Sequence, residues 1–264
     1  MHVSAYRRLL VVGCVLAFGC NRWRPENFPN PVDLYTESLR RLDAGKEQDA
    51  ILGFEKLTLE LPVRDTLLPR AHFHLARAHA ARKDWLLAAQ AYTRMASEFP
   101  DDTLADDALL QAAHSYAALW DDPELDPTYG QSAIAVYTSL LDTYPATSLR
   151  AEAEAGIAKM RAQLAEKDFR IAEQYRRRKS PHSAIRYYRD VIDIYPDAPR
   201  VRDSYVRMAE VYKSIGYTEE YREVCAEARG RFPSDSEISS TCNDVPAPSA
   251  PASPPPTPPS PPLF

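Results

Sequence analysis

Small and aromatic apolar residues return along this chain in a fixed order. Residues 50–62 read AILGFEKLTLELP, 88–100 read AAQAYTRMASEFP, 133–145 read AIAVYTSLLDTYP and 184–196 read AIRYYRDVIDIYP. Each segment opens on Ala, places an aromatic four positions later and a proline eight after that. The aromatics are Phe54, Tyr92, Tyr137 and Tyr188, and the prolines are Pro62, Pro100, Pro145 and Pro196. A fifth copy ends at Pro233, with Tyr221 in the Ala slot and Cys225 in the aromatic slot. Residues four apart share one face of a helix, so the small residue admits a neighbouring helix and the aromatic fills the space beside it. Proline then ends the helix, because it has no N–H to continue the ladder.

A second helix precedes each of these. Sixteen residues before the aromatic slot stand Ser38, Ala76, Ala172 and Ala209, all small, and thirteen before it stand Arg41, His79, Tyr175 and Tyr212. In the third copy the equivalent residues are Ala113 and Tyr116, displaced by an insertion within LWDDPELDPTYGQ (119–131), which reads as a loop. The pattern resembles the tetratricopeptide repeat, whose 34-residue period carries small residues, a Tyr, an Ala, an aromatic and a Pro at these offsets. The widest gap between prolines holds SLRAEAEAGIAKMRAQLAEKDFRIAEQYRRR (148–178), which has no Pro and one Gly and predicts a single helix. At 1.5 Å per residue it is roughly 45 Å long. The expected fold is all-α: an α-solenoid of five tetratricopeptide-like helical hairpins over 31–234, with a long linking helix. Such arrays bury a continuous core by stacking and leave a concave face for an extended segment of another protein.

The ends of the chain are different. In MHVSAYRRLLVVGCVLAFGC, Arg7 and Arg8 precede an apolar run from Leu9 to Gly19. That run falls short of the ~20 residues a membrane-spanning helix needs. It predicts an export signal over 1–19. Gly19-Cys20 at its end resembles a bacterial lipobox, in which the signal is cut before the Cys and the Cys carries the lipid; the alternative is a plain secretory signal with an incidental Cys. Residues 20–30 then form a linker. Ten of the 23 prolines fall in 246–264, and the stretch 235–264 predicts a disordered extension, a spacer or a ligand for a proline-reading partner. The formal charge is −5 at pH 7, and more negative once the signal is removed, which argues against nucleic acid as a partner and against attraction to an anionic lipid surface. With Cys14 in the signal and Cys20 lipidated, Cys225 and Cys242 remain. In an oxidising compartment they either pair or stay as separate thiols.

No catalytic constellation emerges. There is no Gly-rich phosphate loop, no nucleophile elbow and no metal-binding Cys pair, so no enzyme activity, cofactor or metal is expected. In HFHLARAH (72–79), His72 and His79 share a helical face two turns apart, and the register makes these two packing residues; His74 points elsewhere. The acidic pairs Asp101-Asp102, Asp106-Asp107 and Asp121-Asp122 fall at turns and helix starts, where they satisfy exposed N–H groups. Arg176-Arg177-Arg178-Lys179 closes a helix as a solvated face or a basic docking patch.

Two stretches carry a closer resemblance. VDLYTESLRRLDAGKEQDAILGFEKLTLELP (32–62) and IAKMRAQLAEKDFRIAEQYRRRKSPHSAIRYYRDVIDIYPDAPRVRDSYVRMAEVYKSIG (157–216) are similar to the BamD family, lipoproteins of the outer-membrane protein assembly (BAM) machinery. The resemblance implies a non-enzymatic scaffold, lipid-anchored on the periplasmic face of the outer membrane. It implies docking to BamA and other BAM subunits, and reception of unfolded outer-membrane protein precursors. The family often has Arg just before the aromatic of the fourth repeat's second helix; here Tyr187 stands there with Arg186 one place earlier, and both are candidates for BamA docking. In the repeat register Tyr35, Phe73, Arg77, Leu110 and His114 are candidates for a peptide groove, the alternative being that they only pack between repeats. Another envelope repeat lipoprotein, a pilus-assembly pilotin or a cell-division coordinator, would share anchor and solenoid and bind a different client.

Overall fold

The computed structural model describes residues 23–245, and every regular element among them is helical. After a short 3₁₀ turn at Pro25–Asn27 come α1 (Pro31–Asp43), α2 (Glu47–Glu60), α3 (Leu67–Ala81), α4 (Trp85–Glu98), α5 (Ala105–Ala118), α6 (Thr128–Thr143), α7 (Arg150–Arg177), α8 (Pro181–Ile194), α9 (Arg200–Ser214), α10 (Thr218–Arg231) and α11 (Ser236–Thr241). The first ten pair in chain order as the five tetratricopeptide-like hairpins that the repeat pattern predicts. The signature residues hold their hairpins together. Ala50, Ala88, Ala133 and Ala184 are buried, as are Phe54, Tyr92, Tyr137, Tyr188 and Cys225. So are the small residues facing them, Ser38, Ala76, Ala113, Ala172 and Ala209. The one hydroxyl among these is satisfied locally, because Ser38 Oγ donates to the Leu34 carbonyl at 2.7 Å.

Helix ends follow from the same residues. α2, α4, α6, α8 and α10 each stop two positions before their proline. A proline disfavours α geometry in the residue before it. Leu61 accordingly turns to φ −71°, ψ 138°, and Phe99, Tyr195 and Phe232 to φ between −122° and −130° with ψ between 55° and 65°. The turns inside four hairpins share a second device. Gly45, Lys83, Lys179 and Gly216, each nine residues before the aromatic slot, have φ of 66°, 65°, 58° and 77°. The next residue's N–H reaches back five positions: Lys46 to Arg41, Asp84 to His79, Ser180 to Tyr175 and Tyr217 to Tyr212. This left-handed closure satisfies carbonyls left open at a helix end.

The described chain divides into two units. One runs to Leu119 and includes Ala135–Arg150; the other comprises Trp120–Ile134 and the chain from Ala151 on. The core of the first includes Leu34, Phe54, Leu57 and Leu68, and that of the second includes Phe169, Tyr188, Val191, Tyr205 and Met208. In the second unit the insertion is an anchored loop. Trp120 is buried against Gly130, where an added Cβ would come within 2.1 Å of the indole. Lys167 Nζ donates to the carbonyls of Leu125 at 2.8 Å and Pro123 at 3.2 Å.

Three expectations are corrected here. The loop over 119–131 ends earlier, because Asp126 Oδ1 accepts from the Thr128 N–H at 2.9 Å and starts α6 at Thr128. The linker over 20–30 is docked as far as it is described: Trp23 is buried, and Lys56 Nζ donates to the Pro25 carbonyl at 3.4 Å. The disordered stretch over 235–264 begins later. Residues 235–245 carry α11, whose cap Asp235 Oδ1 accepts from Glu237 and Ile238 N–H at 3.0 Å, and Ile238 is buried. The signal over 1–19, Cys20 and the proline-rich 246–264 lie outside the described residues.

The turn geometry makes a testable difference between its four residues. A side chain in left-handed geometry costs roughly 1–2 kcal/mol that glycine avoids, offset in part by glycine's greater freedom when unfolded. Lys179→Gly is expected to stabilise the chain by up to about 1 kcal/mol in urea denaturation. Gly216→Ala, where nothing lies within 4 Å of the new methyl, is expected to destabilise it by a similar amount through backbone strain alone.

Candidate functional site

The first helices of the early hairpins, α1, α3 and α5, carry the groove candidates. Tyr35 is half-buried and meets Phe54 edge-on at 5.9 Å between ring centroids and His74 at 5.8 Å. His74 stacks on Phe54 at 5.7 Å and takes the edge of Phe73 at 5.5 Å. Phe73 in turn meets Tyr92 at 5.3 Å. A continuous run of rings thus joins hairpins one and two, and Tyr35 and Phe73 keep part of their surface open. Arg77 is exposed, with Nη2 3.4 Å from the Asp43 carboxylate. His114 is half-buried edge-on against Tyr137 at 5.7 Å. Leu110 is the exception: at 2% exposure it belongs to the core, as the packing alternative has it, and offers nothing to a groove. An α-helix of an array buries a broad stripe, and Leu110 lies beside Leu109, Ala112 and Ala113 within it.

His74 is the residue that the sequence pattern missed. Its slot carries no repeat signature, and its ring partners come from the preceding hairpin as well as its own. Burial pushes its imidazole down to about 4, helped by the Arg77 and Arg70 charges and opposed by Asp43. Its Nδ1 is buried with no hydrogen-bond partner. Burial also pushes His72 and His79 down, and Glu98 and Asp84 respectively act against that. Burial raises the Tyr35 and Tyr92 phenols, which stay neutral donors at any physiological pH.

The later hairpins present a different surface. Glu166, from α7, accepts from Arg170 Nε at 2.7 Å and Arg200 Nε at 2.5 Å. Arg200 also binds Asp203 at 2.7 Å, Arg202 binds Asp203 at 3.0 Å and Asp235 at 2.7 Å, and Arg202 reaches Glu237 at 2.7 Å. Burial drives the Glu166 carboxyl up, but its two guanidinium partners outweigh that and hold it below the usual range. Hydrogen bonding from Arg202 holds Asp235 at about 2. A cavity of about 580 Å³ opens over this lattice, lined by Glu166, Lys167, Phe169, Arg170, Glu173 and Arg200 among others. On α8, Arg186 is exposed and Tyr187 is half-buried, its ring stacked on Tyr175 at 5.6 Å and 12°. Arg176 pairs with Glu173 at 2.8 Å and Arg177 and Arg178 are exposed.

Cys225 and Cys242 are joined as a disulfide, with Cα atoms 5.6 Å apart. The bond closes a 17-residue separation, a loop worth around 3 kcal/mol in the chain-entropy model. It ties the segment after Pro233 to α10, where Tyr221 Oη also donates to the Thr241 carbonyl at 2.7 Å and Arg229 to the Val245 carbonyl at 2.9 Å. Among the described residues, no group of three or more His, Cys, Asp or Glu could hold a metal ion, and no helix is long and apolar enough to cross a membrane.

Comparison with known proteins follows the same span of chain. The YfiO model, described as outer membrane lipoprotein, matches residues 29–226. Outer membrane protein assembly factor BamD of Caulobacter vibrioides is 25% identical over 206 residues, covering 78% of this chain and 67% of the relative. Its counterpart in Vibrio cholerae is 26% identical over 216 residues, covering 77% and 89%. That of Rickettsia prowazekii is 24% identical over 233 residues, covering 88% and 92%. Among solved structures, a thermophilic tetratricopeptide-repeat protein of Thermus thermophilus aligns over 81% of this chain and 98% of its own, with 18% identity and a TM-score of 0.36.

The His74 environment predicts a pH dependence with a definite sign. An unfolded imidazole titrates near 6.5 and the folded one near 4, so the unfolded chain binds a proton first as pH falls. The contribution is complete above pH 6.5 and is lost as pH drops from about 6.5 towards 4. His74→Phe removes that titration. The gap between variant and parent in urea denaturation is expected to shift in the variant's favour between pH 7 and pH 4, with the remaining slope coming from other groups such as His72 and His79.

Proposed function

From the premise that the chain belongs to the YfiO family of outer membrane lipoproteins, we propose that it works in outer-membrane protein assembly, as its BamD relatives are named for. The match over residues 29–226 is the observation that carries this reading, since it takes in nearly all of the five hairpins. In finer terms, the protein is a scaffold rather than an enzyme. Lipid on Cys20 fixes it to the periplasmic face of the outer membrane. The last two hairpins dock BamA, with Arg186 and Tyr187 on the docking side. The first-helix face of the early hairpins receives unfolded precursors.

The chemistry of that face suits such a client. Outer-membrane strands alternate apolar and polar residues and are rich in interfacial aromatics. The open parts of Tyr35 and Phe73 offer apolar contact, while Arg77 and the His114 imidazole can meet carbonyls or a terminal carboxylate. The same rings also hold the hairpins together, so Phe73 cannot test binding without testing stability. Arg77 can, being exposed and joined to the fold through Asp43 at 3.4 Å.

Co-purification from the native envelope tests the proposal. The lipidated chain is expected to bring down a large barrel-forming assembly protein. Arg186→Glu, a reversal at an exposed position, is expected to cut that recovery several-fold without moving the melting temperature. Arg77→Ala is expected to leave barrel-protein recovery intact and to weaken binding of a fluorescent peptide from the last strand of a client. Recovery of a pilus secretin or a division protein instead would refute the assembly role.

A further inference from the structure

The chain that leaves the first hairpin towards Cys20 does so from a fixed point. Trp23 is 9% exposed. Its ring lies beside Phe28 at 6.1 Å, and the Arg41 guanidinium stacks over it at 5.4 Å. The close approach is made at Gly53: a Cβ there would sit 3.0 Å from Trp23 Cη2 and 2.0 Å from Ser38 Oγ. Lys56 holds the Pro25 carbonyl, and Pro25 itself is buried. Residues 23–28 are therefore part of the α1–α2 hairpin rather than a leash to it.

This changes the distance between the hairpin and any lipid on Cys20. A free linker over 20–30 would reach roughly 35 Å when extended, more than the hydrocarbon thickness of a bilayer. With Trp23 docked, only three residue steps separate the lipidated Cys from the hairpin, about 10 Å at full stretch. The headgroup layer on one side of a bilayer is itself about 5–8 Å thick. At most about 2–5 Å is left between the headgroups and the hairpin. Arg is also a residue type that anchors at a membrane–water boundary, and Arg24, next to the buried Trp23, is exposed.

We infer that the first hairpin lies directly against the lipid headgroup layer, on the side where Trp23 joins it, so that this unit is held at a fixed stand-off rather than on a tether. The inference rests on the lipid reading of Cys20 given above. The partner surface is the phospholipid headgroup region, engaged because the anchor is short and its end is packed.

Site-specific quenching tests it on the full lipidated chain. With Cys20 capped by lipid and Cys225 and Cys242 bonded to each other, one introduced thiol can carry a dye. Glu26→Cys places it beside Trp23, and Ala118→Cys places it at the exposed end of α5 in the same unit. Each is bound to vesicles of phosphatidylethanolamine and phosphatidylglycerol containing a headgroup-nitroxide lipid, and flotation is read in parallel. The dye at 26 is expected to be quenched several-fold more than the dye at 118. Insertion of about 20 Gly/Ser residues between Arg22 and Trp23, with a mean reach of about 25 Å, is expected to keep flotation and abolish the difference. Equal quenching at 26 and 118 in the parent overturns the stand-off while leaving the lipid anchor standing. An unchanged difference after insertion overturns the role of the short anchor. Failure of the parent to float removes the lipid reading and the inference together.

Discussion

Everything in this protein depends on one contact made four times in full and once with its sizes exchanged: a small residue and a bulky one, four apart on a second helix, closing onto a small residue of the first, with Tyr221 and Cys225 in the reverse order in the fifth hairpin. The contact is short-ranged and leaves no slack. Ser38, Ala76, Ala113, Ala172 and Ala209 have almost no exposed surface, and neither do the aromatics or the cysteine opposite them. Close packing of this kind makes each added methylene costly, because interiors are as dense as organic crystals. At Gly53 the approach is closest, and the absence of a side chain lets α1, α2 and Trp23 meet at one point. The prolines do the complementary work by ending each second helix two residues ahead, which fixes where the next hairpin begins.

The two units use their first-helix surfaces in opposite ways. In the early hairpins the surface is a line of rings, Tyr35, His74 and Phe73, with a few charges beside it. In the late ones it is an alternating lattice of Glu166, Arg200, Asp203 and Arg202, joined by Asp235 at the start of α11. Half-exposed ion pairs of this sort contribute little each to stability, and their value is mostly geometric. They hold long side chains in one arrangement, which favours a partner whose charges match and penalises one whose charges do not. Rings tolerate many sequences; a charge lattice does not. On the proposed function, a receptor for varied clients and a dock for one constant partner would call for these two kinds of surface.

The repeats were legible because they repeat. One Ala–aromatic–Pro segment is weak evidence, whereas four with the same internal spacing fix the helices, their ends and the residues between them. Legibility failed wherever an element's partner lies outside its own repeat. Trp23 docks on Gly53 thirty residues away, and nothing in 20–30 signals it. α11 is capped locally by Asp235, but what holds it in place is Arg202, which pairs with Asp235, and the bond from Cys242 to Cys225, both contacts to an earlier hairpin. Leu110 follows its packing alternative for a related reason: register says which side of a helix a residue is on, but not how wide the buried stripe is. His74 had the opposite fate, since its neighbours Tyr35 and Phe54 belong to the preceding hairpin.

The bond between Cys225 and Cys242 has a consequence for when this molecule is finished. Among the described residues no further hairpin follows the fifth, and α11 lies there instead, pinned by Cys242 and by the Arg229 grip on the Val245 carbonyl. Disulfides form in oxidising compartments and not in the reducing cytoplasm. On the exported reading, the chain is therefore made without its last fastener and gains it only after crossing the inner membrane. Its C-terminal end stays easier to unravel on the side where it must pass through a narrow channel, and becomes hard to unravel on the side where it must last. Maturation is then a one-way step, dated by arrival in the envelope.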